Sequence, residues 1–127
     1  MRLKGKKCIV TGGSSGIGKA TVKRFIAEGA EVLIADIDIK ESKKLAEEIG
    51  DGVHFIKCDV RLENDIISVS KKAYSIWKKV DVLVNNAGSE LNQSYDKMTE
   101  QEWDKVLDTD LKGPWLMCKH IVPKMVE

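Results

Sequence analysis

Apolar and polar positions along this chain switch repeatedly between a strand period and a helix period. Lys7–Thr11 is a short apolar run and predicts a buried strand. In Ile17–Glu28 the residues Ile17, Thr21 and Phe25 fall on one helical stripe, and Gly29 marks the stop. Glu31–Ala35 is again apolar and β-branched, and Ile39–Ile49 predicts a second helix ended by Gly50. Val53–Cys58 predicts a third strand. Asp65–Lys78 carries Ile66, Val69, Ala73 and Ile76 at helical spacing, and Val80–Asn85 predicts a fourth strand. Thr99-Glu100-Gln101-Glu102 has the form of a capping box, in which hydroxyl and carboxylate each satisfy an orphan backbone donor. Behind it, Trp103, Val106, Leu107 and Leu111 form an apolar stripe that Trp115 and Cys118 continue.

Strands alternating with helices of roughly 10–15 residues imply βαβ units and a parallel sheet. Right-handed crossovers then give an α/β, Rossmann-like doubly wound sheet of about four strands in the order 3-2-1-4. A ligand crevice is expected between strands 1 and 4, where the winding reverses. There is no linker, repeat or low-complexity segment, so residues 1–127 are expected to form a single domain.

Composition narrows the function classes. The chain has 21 basic and 20 acidic side chains and a net charge of +1, and its lysines are scattered beside glutamates. A solvated face explains them, and no basic stripe suggests nucleic acid as a partner. No apolar run approaches the ~20 residues of a membrane span, and the stretch after the basic N-terminus is too short for a signal peptide. Cys8, Cys58 and Cys118 are odd in number and widely spaced, without a CxxC pair. Neither a metal site nor a disulfide framework is expected, and a reducing, cytoplasmic setting is.

The candidate chemistry lies in Thr11-Gly12-Gly13-Ser14-Ser15-Gly16-Ile17-Gly18, between the first strand and the first helix. Gly12 permits a sharp exit from the strand, Gly16 lets backbone approach a pyrophosphate, and Gly18 allows close packing of helix on strand. Free amides at the helix start then face the phosphates. Asp36, at the end of the second strand, is placed to accept from a ribose hydroxyl and would repel a 2′-phosphate. Ser15 and Ile37 supply no cation for that phosphate, so NAD is expected over NADP.

Two other motifs compete. Gly12-Gly13-Ser14-Ser15-Gly16 also fits the G-x-S-x-G turn of a serine hydrolase. That chemistry needs a histidine at the carboxyl edge of the sheet, whereas His54 falls inside a predicted strand and His120 near the end of the last helix. Tyr74-Ser-Ile-Trp-Lys78 fits a Tyr-x-x-x-Lys pair, but its helix precedes strand 4, and an ordinary helix surface facing away from the crevice explains it. A methyltransferase would also use a glycine loop and an acid after strand 2; Asn85-Asn86-Ala87-Gly88 argues against it.

Taken together, Thr11-Gly12-x-x-x-Gly16-x-Gly18, Asp59-Val60, Asn85-Asn86-Ala87-Gly88 and Trp103…Leu111-Lys-Gly-Pro114 are strong at these spacings. From Leu3 onward the chain resembles the N-terminal part of the short-chain dehydrogenase/reductase family. The resemblance implies hydride transfer between a nicotinamide cofactor and an alcohol or ketone. It implies that Asp59 holds the adenine amino group beside the Val60 backbone. It implies that Asn86, Ala87 and Gly88 pass under the cofactor ribose, braced by Thr11. The full set of expected cofactor contacts is then Gly12, Ser14, Ser15, Gly16, Ile17, Gly18, Asp36, Ile37, Asp59, Val60, Asn86, Ala87 and Gly88.

The same resemblance implies a catalytic Asn on the last helix, then Ser, Tyr and Lys further on. Asp110 stands at the Asn position, and Glu127 precedes the other three. The chain is therefore expected to be truncated before its catalytic part and inactive alone. Pro114 lacks an N–H and leaves the Asp110 carbonyl without its helical donor, so a kink and a water anchor are expected there. The plainer expectation for the Asp110 side chain is solvation. Without further strands beside it, strand 4 would be a bare apolar edge and the last helix would lose cover. A two-fold homodimer through either is expected. The alternative to an enzyme part is a non-catalytic module that binds nucleotide or only associates with itself.

Overall fold

The computed structural model describes all 127 residues. Strands β1 (Lys7–Thr11), β2 (Glu31–Asp36), β3 (Val53–Lys57) and β4 (Val82–Val84) form one sheet in the order β3-β2-β1-β4. All three pairings are parallel, and Val10 lies level with both Ile34 and Val84. The carboxyl ends of the strands therefore share one edge of the sheet. This is the doubly wound, Rossmann-like order expected from the alternation of strand and helix.

The central strands are apolar throughout because both faces are covered. On one face Cys8, Val10, Val32 and Ile34 pack under α1 (Gly16–Ala27) and α2 (Ile39–Ile49), through Val22 and Leu45. On the other, Ile9 and Leu33 pack under α3 (Glu63–Trp77) and α5 (Gly113–Met125). Successive strand residues alternate between the two clusters, as the pleat requires. Cys8 and Cys58 are buried in these clusters, and Cys118 is exposed.

Two helix readings change. On α3 the buried stripe is Ile66, Val69, Ala73 and Trp77, with Ile76 only half-buried. Trp77 takes the inner position because its indole N–H donates to the Glu31 carboxylate at 2.9 Å, so its polar atom is satisfied while its rings pack. Tyr74 is not on an ordinary surface either. It is half-buried, and its hydroxyl donates to the Ile121 carbonyl at 2.8 Å, tying α3 to α5.

Strand β4 is half the expected length. Before it, Asp81 is held by its own N–H on the Lys7 carbonyl and by its carboxylate on the Lys7 N–H. After Val84 the chain leaves the ladder, and the Asn86 N–H turns to the Thr11 hydroxyl instead.

The final helix comes in three parts. Helix α4 (Glu100–Leu107) opens on the expected capping box of Thr99 and Glu102. Asp108–Lys112 is a π-helical turn, closed by the Gly113 N–H on the Asp108 carbonyl, and α5 follows with Pro114 in its first turn. The wide turn accommodates the proline where a kink was expected. One extra residue rotates the following face by about 100°. The buried face of α5 is Gly113, Leu116, Met117 and Ile121. The sequence stripe lies outside: Trp103, Leu107, Leu111 and Trp115 are all exposed.

Candidate functional site

The turn after β1 is built for close backbone approach. Gly12 and Gly16 have φ of +63° and +51°, where a side chain would be strained. A Cβ on Gly18 would lie 2.1 Å from the Gly12 carbonyl oxygen and 2.5 Å from Asn86 Nδ2. Only glycine lets α1 sit this near the strand exit. Ser15 occupies the N-cap of α1 without a side-chain cap bond, and the first turn holds no acid. The amides of Gly16, Ile17 and Gly18 thus begin the helix with its positive end uncompensated. A Cβ on Gly16 would meet nothing within 4 Å, so this backbone faces open space.

Asp36 ends β2 and is pinned. Its Oδ2 accepts from the Ser14 N–H at 3.0 Å and the Ser14 hydroxyl at 2.7 Å, and its Oδ1 accepts from the Asp38 N–H at 2.8 Å. Asp36 is only 7% exposed, yet it lines the cavity described below. Ser14, turned down onto Asp36, does not line that cavity, and neither does Gly18. With its hydroxyl on Asp36, Ser14 also has no histidine beside it. His54 packs edge-on to Trp77, and His120 pairs with Glu63. The hydrolase arrangement is not assembled.

Beyond β3 comes Asp59-Val60-Arg61. The Asp59 N–H donates to Asp65, and its carboxylate is gripped by the Arg61 guanidinium, with Nη2 at 2.7 Å from Oδ2. Hydrogen bonding from Arg61 holds the Asp59 carboxyl below its ordinary range, against the opposing effect of burial. The sequence reading did not single out Arg61; its spacing two residues after Asp59 at a strand end was the available signal. Val60 sits against Gly113, where a Cβ would lie 2.9 Å from Val60 Cγ2.

The segment after β4 is tied to β1 by Thr11, which is 1% exposed. The Thr11 hydroxyl accepts from the amides of Asn86 and Ala87, each at 3.0 Å. Asn86 Nδ2 donates to the carbonyls of Thr11 and Gly12, each at 3.1 Å. Asp110 closes the far side: its Oδ1 accepts from the Ser89 N–H at 2.7 Å. Asp110 is exposed, as a solvated side chain would be, but it is not merely solvated. The carboxylate, from the π-helical turn, anchors the turn that follows Gly88.

These segments enclose a cavity of about 760 Å³ at the carboxyl edge of the sheet, a size ordinary for a small-molecule site. Gly12, Ser15, Gly16, Ile17, Asp36, Ile37, Asp59, Val60, Asn86, Ala87, Gly88 and Asp110 all line it. So do Arg61, Lys105 and Thr109, which the sequence did not flag, whereas no tyrosine or histidine does. Tyr74 and Lys78 lie away from it, as expected. The donors (helix amides), the acceptor (Asp36) and the apolar rims (Ile17 and Ile37) suit a ligand with phosphates and a sugar. No group of acids, cysteines and histidines is arranged to hold a metal ion. No helix is long and apolar enough to cross a membrane.

Comparison with known proteins agrees with this geometry. The chain is 38% identical over 130 residues to the 3-oxoacyl-(acyl-carrier-protein) reductase FabG of Thermotoga maritima, covering 100% of this chain and 53% of that protein. The 3-ketoacyl-(acyl-carrier-protein) reductase of Brucella melitensis, solved in complex with NADH, matches with a TM-score of 0.92 and 32% identity, over 96% of this chain and 51% of that one. A Brucella melitensis structure described as a short-chain dehydrogenase/reductase, glucose/ribitol dehydrogenase, shares the fold with a TM-score of 0.95 at 24% identity, over 98% of this chain and 54% of that one. The chain spans about half the length of the curated relatives it matches. The family model for short chain dehydrogenases matches residues 6–127, and with the glycine turn, the sheet order and the 86–88 segment in place, the chain belongs to that family.

Proposed function

We propose that this chain is the dinucleotide-binding part of an NAD-dependent short-chain oxidoreductase. The observation that carries the reading is convergence: glycine turn, Asp36, Asp59 and the 86–88 segment all line one cavity. The α1 amides would hold the pyrophosphate, and Asp36 would accept from the adenosine ribose. Ile17 and Ile37 would cover the sugars, and Asp59 with Val60 would meet the adenine. Asn86, Ala87 and Gly88 would run beneath the second ribose, with Ser14 and Gly18 setting the shape of the turn. A nicotinamide bound there would give or take a hydride, with an alcohol or ketone as the partner in the whole protein.

Asp36 also supports NAD over NADP, since a 2′-phosphate would meet a fixed carboxylate and no cation at Ser15 or Ile37. The cavity wall holds no tyrosine to exchange a proton, so the 127-residue chain is expected to bind without turnover. Fluorescence titration with NADH tests this. Saturable binding that is weakened by Asp36→Ala, and weaker still for NADPH, is expected. Absence of binding, or equal affinity for NADPH, would remove the reading. Turnover of secondary alcohols with NAD would remove the expectation of inactivity.

A second reading, a self-associating module, has its own observation. Leu111 and Trp115 are 69% and 59% exposed on one helical edge, and Trp103 lies on the same run. Strand β4, at the sheet edge, is only half-buried. Either surface would be covered in a two-fold homodimer. A monomer by sedimentation equilibrium at tens of micromolar would refute self-association, and Trp115→Glu would separate the helix mode from the strand mode.

A further inference from the structure

The cavity does not end at Asp36. It continues to the end of β3, where Asp59 and Arg61 stand together, and Lys105 of α4 also lines it. The sheet order sets what would lie there. With phosphates at α1 and a ribose at the end of β2, the attached base is directed toward β3, the next strand outward. This step rests on the dinucleotide reading above.

The Asp59 carboxylate is held on both oxygens by one residue. Oδ1 accepts from the Arg61 main-chain N–H and from Nε, each at 3.0 Å. Oδ2 accepts from Nη2 at 2.7 Å and from Nε at 3.2 Å. A carboxylate offers about four acceptor directions, and Arg61 reaches all four with only three N–H groups, because its Nε–H is shared between the two oxygens. The longer branch, 3.2 Å to Oδ2, is the direction that a donor arriving from the cavity would take over while the other three contacts stay in place. The guanidinium fork also prevents the carboxylate from turning. The Asp59 side chain is 14% exposed and that of Arg61 35%, so the pair is sheltered but open on the cavity side.

Immobility matters for which base is accepted. A base with a 6-amino group presents a donor to that acceptor direction. A base with a 6-oxo group presents a lone pair there, with an N–H donor one ring position away. A mobile carboxylate would swing to that N–H and tolerate the oxo base; a fixed one would not. We propose that Arg61 is the positioning residue for base recognition: it fixes Asp59 so that the site takes a 6-aminopurine dinucleotide and rejects its 6-oxopurine counterpart. Two further charges reinforce the fork. Lys105 favours the Asp59 carboxylate and Asp108 favours the Arg61 cation.

The test compares NADH with reduced nicotinamide hypoxanthine dinucleotide, which differs from it at the 6-position of the purine. The unmodified protein is expected to prefer NADH by on the order of tenfold. Arg61→Gln is expected to bring that ratio close to one, because the hypoxanthine form gains as NADH loses. Arg61→Lys, which keeps the charge without the fork, is expected to recover only part of the preference. Thermal midpoints report whether the variants remain folded. A ratio unchanged in both variants, or a loss of affinity for both nucleotides at constant ratio, overturns the role of Arg61 and leaves the dinucleotide reading standing. Failure of the unmodified protein to bind either nucleotide overturns the dinucleotide reading first, and this inference with it.

Discussion

Thr11→Val changes one oxygen to a methyl group and tests what joins β4 to the rest of the sheet. In the native structure the Thr11 hydroxyl accepts from the amides of Asn86 and Ala87 and donates to the Val84 carbonyl at 3.4 Å. The last contact is too long to count for much. Valine leaves two amides without partners. Both residues are half-buried, so water reaches them in part, and each loss is expected to cost about 1–2 kcal/mol. The added methyl, in a site only 1% exposed, returns about 0.8 kcal/mol. The net expectation is a destabilisation of about 1.5–3 kcal/mol, a large share of the stability of a small domain. Urea unfolding would show this as a lowered midpoint at unchanged slope. Thr11→Ser keeps the oxygen and is expected to recover most of the loss. If valine unfolds within about 0.5 kcal/mol of the native protein, or serine is as damaging as valine, the hydroxyl is not what holds the 86–87 segment.

Gly18→Ala places a Cβ 2.1 Å from the Gly12 oxygen, so the turn must move; nucleotide binding is expected to be lost even where circular dichroism retains helix, and intact binding would refute the close-approach argument. The Asp59 carboxyl is held down first by its hydrogen bond to Arg61, so its contribution is present above its unfolded pKa of about 3.9 and lost as pH falls through the lower folded value. The stability gap between the native protein and Asp59→Asn should accordingly be constant near pH 6 and close in strong acid; a gap that widens below pH 4 would show the sign to be wrong. Burial, aided by the Asp81 charge, pushes the Cys8 thiol up to about 11, and burial pushes that of Cys58 up to about 12. Alkylation of the folded protein at pH 8 should therefore stop at one thiol, Cys118, by mass spectrometry. Rapid labelling of all three would contradict the buried core.

Local pattern was sufficient wherever a residue's role depends on its near neighbours in the chain. Strands β1 and β2, helix α2, the Thr99 capping box and the glycine turn are set by period, capping chemistry and φ, all of which act over a few residues. The sheet order followed from alternation and handedness alone. Of the residues expected around a cofactor, all but Ser14 and Gly18 line the one cavity, since they lie at or just beyond the end of a strand.

What tertiary structure decided depends on partners 20 to 75 residues away, which no local period encodes. Ser14 could equally have faced a phosphate; the nearness of Asp36 turned it inward. Asp110 read as solvated until the Ser89 amide came within 2.7 Å. Beyond the π-helical turn Met117 faces in while Trp115 faces out, and Trp103 and Leu107 ahead of the turn are exposed as well. For Ser14 a buried hydrogen bond decided the orientation, because an unpaired polar group in the interior is costly; for Asp110 it was an exposed contact with a main-chain amide, and for Met117 it was packing in the core.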